Sequence, residues 1–187
     1  MNTSNNNHFD ALIKVIKGRR STRDFNDEPV SDTDVRDIIE AGIWAPTASN
    51  MNSRRFVVVR ESFLIKKIKA FSPGMFSNPK CIIVLCTDEK RAFEVGGKDG
   101  KDKSSLLDSA VAMENMLLSA ESKGIGSCPV LSFNPAAIAK IIDLPDHIRP
   151  DLIVNLGYSS VKPETPIRPK VEEVTFFERY GRKGVQE

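Results

Sequence analysis

Helical and strand-like segments alternate along this chain, and that alternation by itself predicts an α/β fold with about five short strands. Two observations shape the expectation. A wholly apolar run at residues 81–86 reads as a strand buried on both faces, and an apolar stretch over residues 105–123 reads as a central helix. Periodicity leaves the strand directions open.

Taken in order, Phe9, Leu12, Ile13 and Ile16 recur at three- and four-residue spacing and predict a short amphipathic helix over residues 9–17, with Gly18 as its stop. Ser31 then caps a second helix, with Asp34 answering three residues on and Val35, Ile38, Ile39 and Ile43 as its buried stripe. It should end near Ala45, because Pro46 disfavours a helical residue before it. Residues 56–59 are a β-branched strand and 62–71 a basic-faced helix. Residues 88–104 turn charged and glycine-rich with no period, which predicts an exposed loop, with 98–103 as its solvated part.

The helix over 105–123 carries Leu106, Ala110, Met113, Leu117 and Ala120 on one side and Val111, Met116 and Leu118 on another, so it should be buried on several sides. Gly124 and Gly126 end it, residues 128–131 form a short strand, and Asn134 with Pro135 opens a helix through Ile142. Residues 152–156 are the last core strand. Pro163, Pro166 and Pro169 then favour an extended arm over a packed element. The expected organisation is one domain over residues 1–187, with residues 1–8 flexible and 158–187 as the arm. A chain of this length buries roughly 70% of its unfolded surface, enough for one substantial core.

The totals exclude several classes. With 27 basic and 25 acidic residues the net charge is +2, far from the field that neutralises a row of nucleic-acid phosphates. Cys81, Cys86 and Cys128 are odd in number and form no C-x-x-C pair, so they read as reduced, buried thiols. His8 and His147 lie far apart without ligand partners, and no metal site is expected. The opening MNTSNNNHFD has neither a basic leader nor an apolar stretch, and no apolar run approaches the ~18 residues of a membrane span. The expectation is a cytoplasmic protein without membrane or nucleic-acid partners.

Four segments carry chemistry. Arg19, Arg20, Ser21, Thr22 and Arg23 follow the first helix directly, setting three guanidiniums and two hydroxyls within five residues. Forked donors and a short hydroxyl suit a phosphate monoester. The same residues would equally make a solvated basic helix end. The second segment, residues 45–56, offers small and amide-bearing side chains between a helix and a strand, able to meet the edge of a planar ligand, although such loops are also ordinary turns. The third is residues 124–132 and the fourth residues 157–174, which contain Arg168. No G-x-G-x-x-G segment for an adenine dinucleotide is present.

In this order and spacing the four segments resemble the nitroreductase family from Phe9 to Tyr180. Arg19, Arg20 and Ser21 match that family's phosphate-contacting start and Arg23 its basic residue beside the flavin pyrimidine. Pro46, Thr47, Ala48, Asn50 and Asn52 match the loop that reaches the flavin from the partner subunit. Pro129, Val130, Leu131 and Ser132 match the segment near flavin N5, with backbone amides from the last two. Arg168 matches the C-terminal arginine that returns to the phosphate. Two positions depart from the pattern: Asn52-Ser53-Arg54 replaces the usual Q-P-W, and Pro166 stands where some members have a phosphate-binding lysine.

The resemblance implies an α+β sandwich, a mainly antiparallel sheet flanked by helices, in a homodimer with a domain-swapped C-terminal arm. Trp44 and the methionines of the long helix are then core or dimer interface. It implies FMN as cofactor and NADH or NADPH as donor, with ping-pong hydride transfer through N5 to a nitroaromatic, quinone or similar small-molecule acceptor. No side chain acts as nucleophile, because the flavin carries the chemistry; Arg23 serves as electrostatic stabiliser. A non-catalytic FMN-binding or redox-sensing protein, and a reductive dehalogenase or flavin-fragmenting relative, are the alternatives. Residues 60–104 are too short for the helical lid of longer members, which places the chain with the compact ones.

Overall fold

The computed structural model describes residues 3–161 and 163–184. Four strands form one sheet in the order β1-β2-β4-β3: β1 (Arg54–Val59), β2 (Cys81–Asp88), β4 (Ile148–Gly157) and β3 (Gly126–Val130). Every neighbouring pair is antiparallel, with Val57 opposite Val84, Ile83 opposite Val154 and Cys128 opposite Asn155. The fold is therefore α+β. The α/β expectation from alternation fails because a two-residue side-chain period carries no direction: the helices lie within connections between antiparallel strands, not in parallel crossovers.

β2, apolar over residues 81–86, lies inside the sheet and is sandwiched. Cys81, Ile83 and Leu85 join Leu152, Val154 and Leu156 under α2 (Asp32–Ile43) and α5 (Ser105–Ser122), contributed as Val35, Ile38, Ala112, Met116 and Leu117. Ile82, Val84 and Cys86 point the other way, against Ile65 and Ile68 of α3 (Ser62–Ala70) and Ile138 of α6 (Pro135–Ile141). The predicted caps hold: the Asp34 amide donates to Ser31 Oγ at 3.0 Å and the Ala137 amide to Asn134 Oδ1 at 3.1 Å.

Three expectations need correction. First, residues 88–104 are not a loop. Asp88 accepts from the Arg91 amide and caps α4 (Glu89–Asp99), and a π-turn at Gly100–Ser104 feeds directly into α5. A charged outer face and three glycines hide this helix from periodicity, while Ala92 is fully buried beneath it. Second, α1 (Thr3–Gly18) begins before Phe9, so part of the stretch expected to be flexible is helical, and its stripe of Phe9, Leu12 and Ile16 is exposed. Third, within one chain α5 buries one side only. Leu106, Leu107 and Val111 face outward, Leu107 with 58% of its surface exposed. Most of the described residues beyond Gly157 are exposed and lie outside helix and strand, apart from one turn at α7 (Val171–Val174).

Candidate functional site

Where α1 ends, the chain turns along the sheet. The Thr22 amide donates to the Ser127 carbonyl at 2.8 Å, and Ser21 bridges Ser127 in parallel fashion, which joins the first motif to the third at the edge of β3. Cys128, buried beside this junction, has its thiol pushed up by burial, opposed by the charge of Arg23, a hydrogen bond with Ser21 and the charge of Arg19.

Arg19 and Arg20 open onto a hollow of about 420 Å³ lined by Ile16, Lys17, Arg19, Arg20, Thr165, Pro166 and Arg168. The arm closes it. Arg20 Nη2 donates to Thr165 Oγ1 at 2.6 Å, while Nη1 donates to the carbonyls of Lys17 and Arg19 at 2.7 and 2.8 Å. Its Nε is buried without a partner. Four cationic side chains and no carboxylate line the hollow; Glu114 of α5 meets Arg19 at 3.8 Å. Such a site is built to receive an anion. Arg23 is exposed, with its guanidinium 3.5 Å from the Ser21 carbonyl, and makes no ion pair among the described residues.

Pro129, Val130, Leu131 and Ser132 run off the end of β3. Val130 is buried opposite Ile153, Leu131 is exposed, and the Ser132 carbonyl accepts from the Gly74 amide. The second motif lies elsewhere. Pro46, Ala48, Asn50 and Asn52 are exposed, Thr47 is half-buried, and none of them lines the arginine hollow. The Ala48 amide is anchored on Asp108 Oδ1, six residues before Glu114 and hence about 9 Å along α5. Within one chain the structure brings together Arg19, Arg20 and Arg168, and leaves the 46–52 loop apart from them.

Sequence reasoning missed the residues that hold these groups. Arg54 is buried and donates to the carbonyls of Ala45 at 2.6 Å, Ile43 at 3.3 Å and Asp108 at 3.3 Å. Burial lowers its pKa, against the charge of Asp108; burial likewise raises that of Asp108, against the Ala48 amide and Arg54. Thr165 is the other. Neither has a local signal, since each partner lies far away in sequence.

The nitroreductase family model matches residues 16–77 and 67–158. A protein of Archaeoglobus fulgidus, named as a candidate NADH dehydrogenase/NAD(P)H nitroreductase, is 35% identical over 157 residues, covering 80% of this chain and 86% of its own. The FMN reductase [NAD(P)H] of Bacillus subtilis is 26% identical over 174 residues, 83% of this chain and 70% of its own. The crystal structure of a nitroreductase family protein from Streptococcus pneumoniae superimposes with a TM-score of 0.76 at 27% identity, covering 88% of this chain and 98% of that one.

Proposed function

Because the chain belongs to the nitroreductase family, we propose that it is an FMN-dependent NAD(P)H oxidoreductase, a single FMN-binding domain that works as a cytoplasmic homodimer. One observation carries the reading: Arg168, 148 residues from Arg20 in sequence, lines the same hollow as Arg19 and Arg20, around a buried guanidinium nitrogen that lacks a partner. A phosphate monoester fits that donor set, since it offers several acceptors and close to two negative charges. Arg19, Arg20, Ser21 and Arg168 would hold the FMN phosphate. When bound, FMN would supply two-electron hydride chemistry at N5, for ping-pong transfer between NADH or NADPH and an acceptor such as a nitroaromatic or quinone.

The chain's own residues position and polarise. Arg23 lies past Ser21, outside the lining of the phosphate hollow and with no acidic partner among the described residues, so its charge is available to a developing anion. Leu131 and Ser132 would border the reacting edge, and their exposure keeps it open to a second small molecule.

The homodimer rests on exposed apolar surface. Phe9, Leu12 and Ile16 of α1, Leu106, Leu107 and Val111 of α5, and Ile43 with Trp44, itself 80% exposed, are too much apolar surface for an isolated chain of this size. Pro46, Thr47, Ala48, Asn50 and Asn52 are exposed near that surface and would complete the partner's flavin site. Buried free thiols at Cys81, Cys86 and Cys128 suit a reducing compartment, and no helix among the described residues is long and apolar enough to cross a membrane.

The test is to purify the protein, identify released flavin by chromatography, and add NADH or NADPH without air. FMN that bleaches quickly and regains colour with a quinone supports the enzyme. FAD, or no flavin affinity after reconstitution, overturns the reading; FMN that does not bleach would make the protein a binder or sensor.

A further inference from the structure

The loop at residues 46–52 has a costly backbone. Ser49, Asn50 and Asn52 adopt φ of 49°, 52° and 49°, the left-handed region that non-glycine residues seldom occupy. Three such residues within four positions persist only if the surroundings hold them there. Those surroundings are α4. Met51, the residue between Asn50 and Asn52, is fully buried, and its sulfur lies against Gly96 of α4 and Gly100 of the π-turn that follows, on either side of a break in the helix at Gly97 (φ 60°). A Cβ on Gly96 would come within 2.7 Å of Met51 Sδ, and a Cβ on Gly100 within 3.0 Å. The helix therefore presents a notch, and Met51 fills it.

Polar contacts fix the same segment. Arg91 Nε donates to the Met51 carbonyl at 3.1 Å, and the Asp88 amide donates to the Ser53 carbonyl at 2.8 Å. Arg55 spans the two, reaching the Asn52 carbonyl at 3.4 Å and Asp88 Oδ2 at 2.8 Å. While Met51 and its carbonyl face α4, the side chains of Asn50 and Asn52 face solvent. We infer that α4 and the π-turn after it are the buttress of the cofactor loop: Arg91 and Gly96 of α4 and Gly100 of the π-turn are positioning residues that lock Met51, and through it hold Asn50 and Asn52 in the shape that meets the flavin. This rests on the FMN reading above. It gives a role to the charged, glycine-rich segment that no periodicity explains: the glycines are space for a methionine.

The test titrates FMN into flavin-free full-length protein and records the visible circular dichroism of the bound flavin, with the thermal melt of the flavin-free form as control. Parent, Arg91→Ala, Met51→Ala and Met51→Leu are compared. Arg91→Ala and Met51→Ala should weaken FMN about tenfold, as for one lost charge-assisted contact, and alter the flavin band. Met51→Leu, close in volume, should restore both. If the two alanine variants bind within about twofold of the parent with the same flavin band, whatever their melting temperatures, the inference is overturned and the contact only stabilises the fold. Should Met51→Ala fail to fold, Arg91→Ala decides, because Arg91 is exposed. A parent that binds no FMN overturns the flavin reading itself, a result distinct from a binding parent with unchanged variants.

Discussion

Arg20 should matter more than Arg168, although both are arginines of one hollow, because Arg20 also holds the arm that carries Arg168. Removing Arg168 deletes one exposed charge-assisted contact, about 1.5 kcal/mol at the low end for such bonds, so Arg168→Ala should weaken FMN roughly tenfold. Arg20→Ala deletes a more buried contact and also the 2.6 Å bond to Thr165 Oγ1, which frees the arm three residues before Arg168. Its cost should approach 3 kcal/mol or about 100-fold. Since Arg168 is already displaced in that variant, Arg20→Ala/Arg168→Ala should be little worse than Arg20→Ala alone, leaving a coupling on the order of 1 kcal/mol. Thr165→Val, which cuts the tie and spares both charges, should cost no more than Arg168→Ala. The assay is fluorescence titration of FMN against the four variants at fixed salt. A double variant whose loss equals the sum of the singles would refute the linkage.

Arg23 acts on a different quantity. Reduction adds negative charge to the flavin pyrimidine, and a guanidinium within ~4 Å contributes on the order of 4 kcal/mol at an effective dielectric of about 20, before desolvation and ordering costs; Arg23→Ala should lower the two-electron potential and slow reduction by NAD(P)H more than it weakens FMN binding, measured by redox titration and stopped flow. At the proposed interface, Leu107→Glu would place a carboxylate in apolar surface and should weaken dimerisation at least about 100-fold; sedimentation would show monomer and flavin loss together, and a variant that stays dimeric would remove α5 from the interface. The Cys86 thiol is pushed up from 9.0 to about 12 by burial first and Asp151 second. The folded protein then keeps a proton that the unfolded chain releases above 9.0, so this contribution to stability is complete below that pH and is lost as pH rises toward about 12. Urea unfolding should show a steeper alkaline loss for the parent than for Cys86→Val, and equal slopes would count against it.

Much of the fold was legible because local physics settled it. The caps at Ser31 and Asn134, the apolar run of β2 and the proline-rich arm need only near neighbours. Where packing outweighs propensity the sequence misled. The charged, glycine-rich residues 88–104 read as a loop, yet Met51 and Arg149 pull them into a helix: Arg149 reaches Glu89 at 3.0 Å and the Lys101 carbonyl at 3.3 Å, contacts that no window along the chain contains.

The candidate site divides the same way. By itself the sequence determined the chemistry on offer: guanidiniums and hydroxyls at residues 19–23, an amide-rich loop, and Arg168 on the arm, because side-chain type needs no fold. Only the tertiary structure decided that Arg168 lines one hollow with Arg19 and Arg20, that Arg54 bonds three carbonyls, and that the loop at 46–52 stands away from the arginine hollow. The physical reason is that forked donors and anchored carbonyls act over about 3 Å, whereas the residues they join lie up to 145 positions apart in sequence.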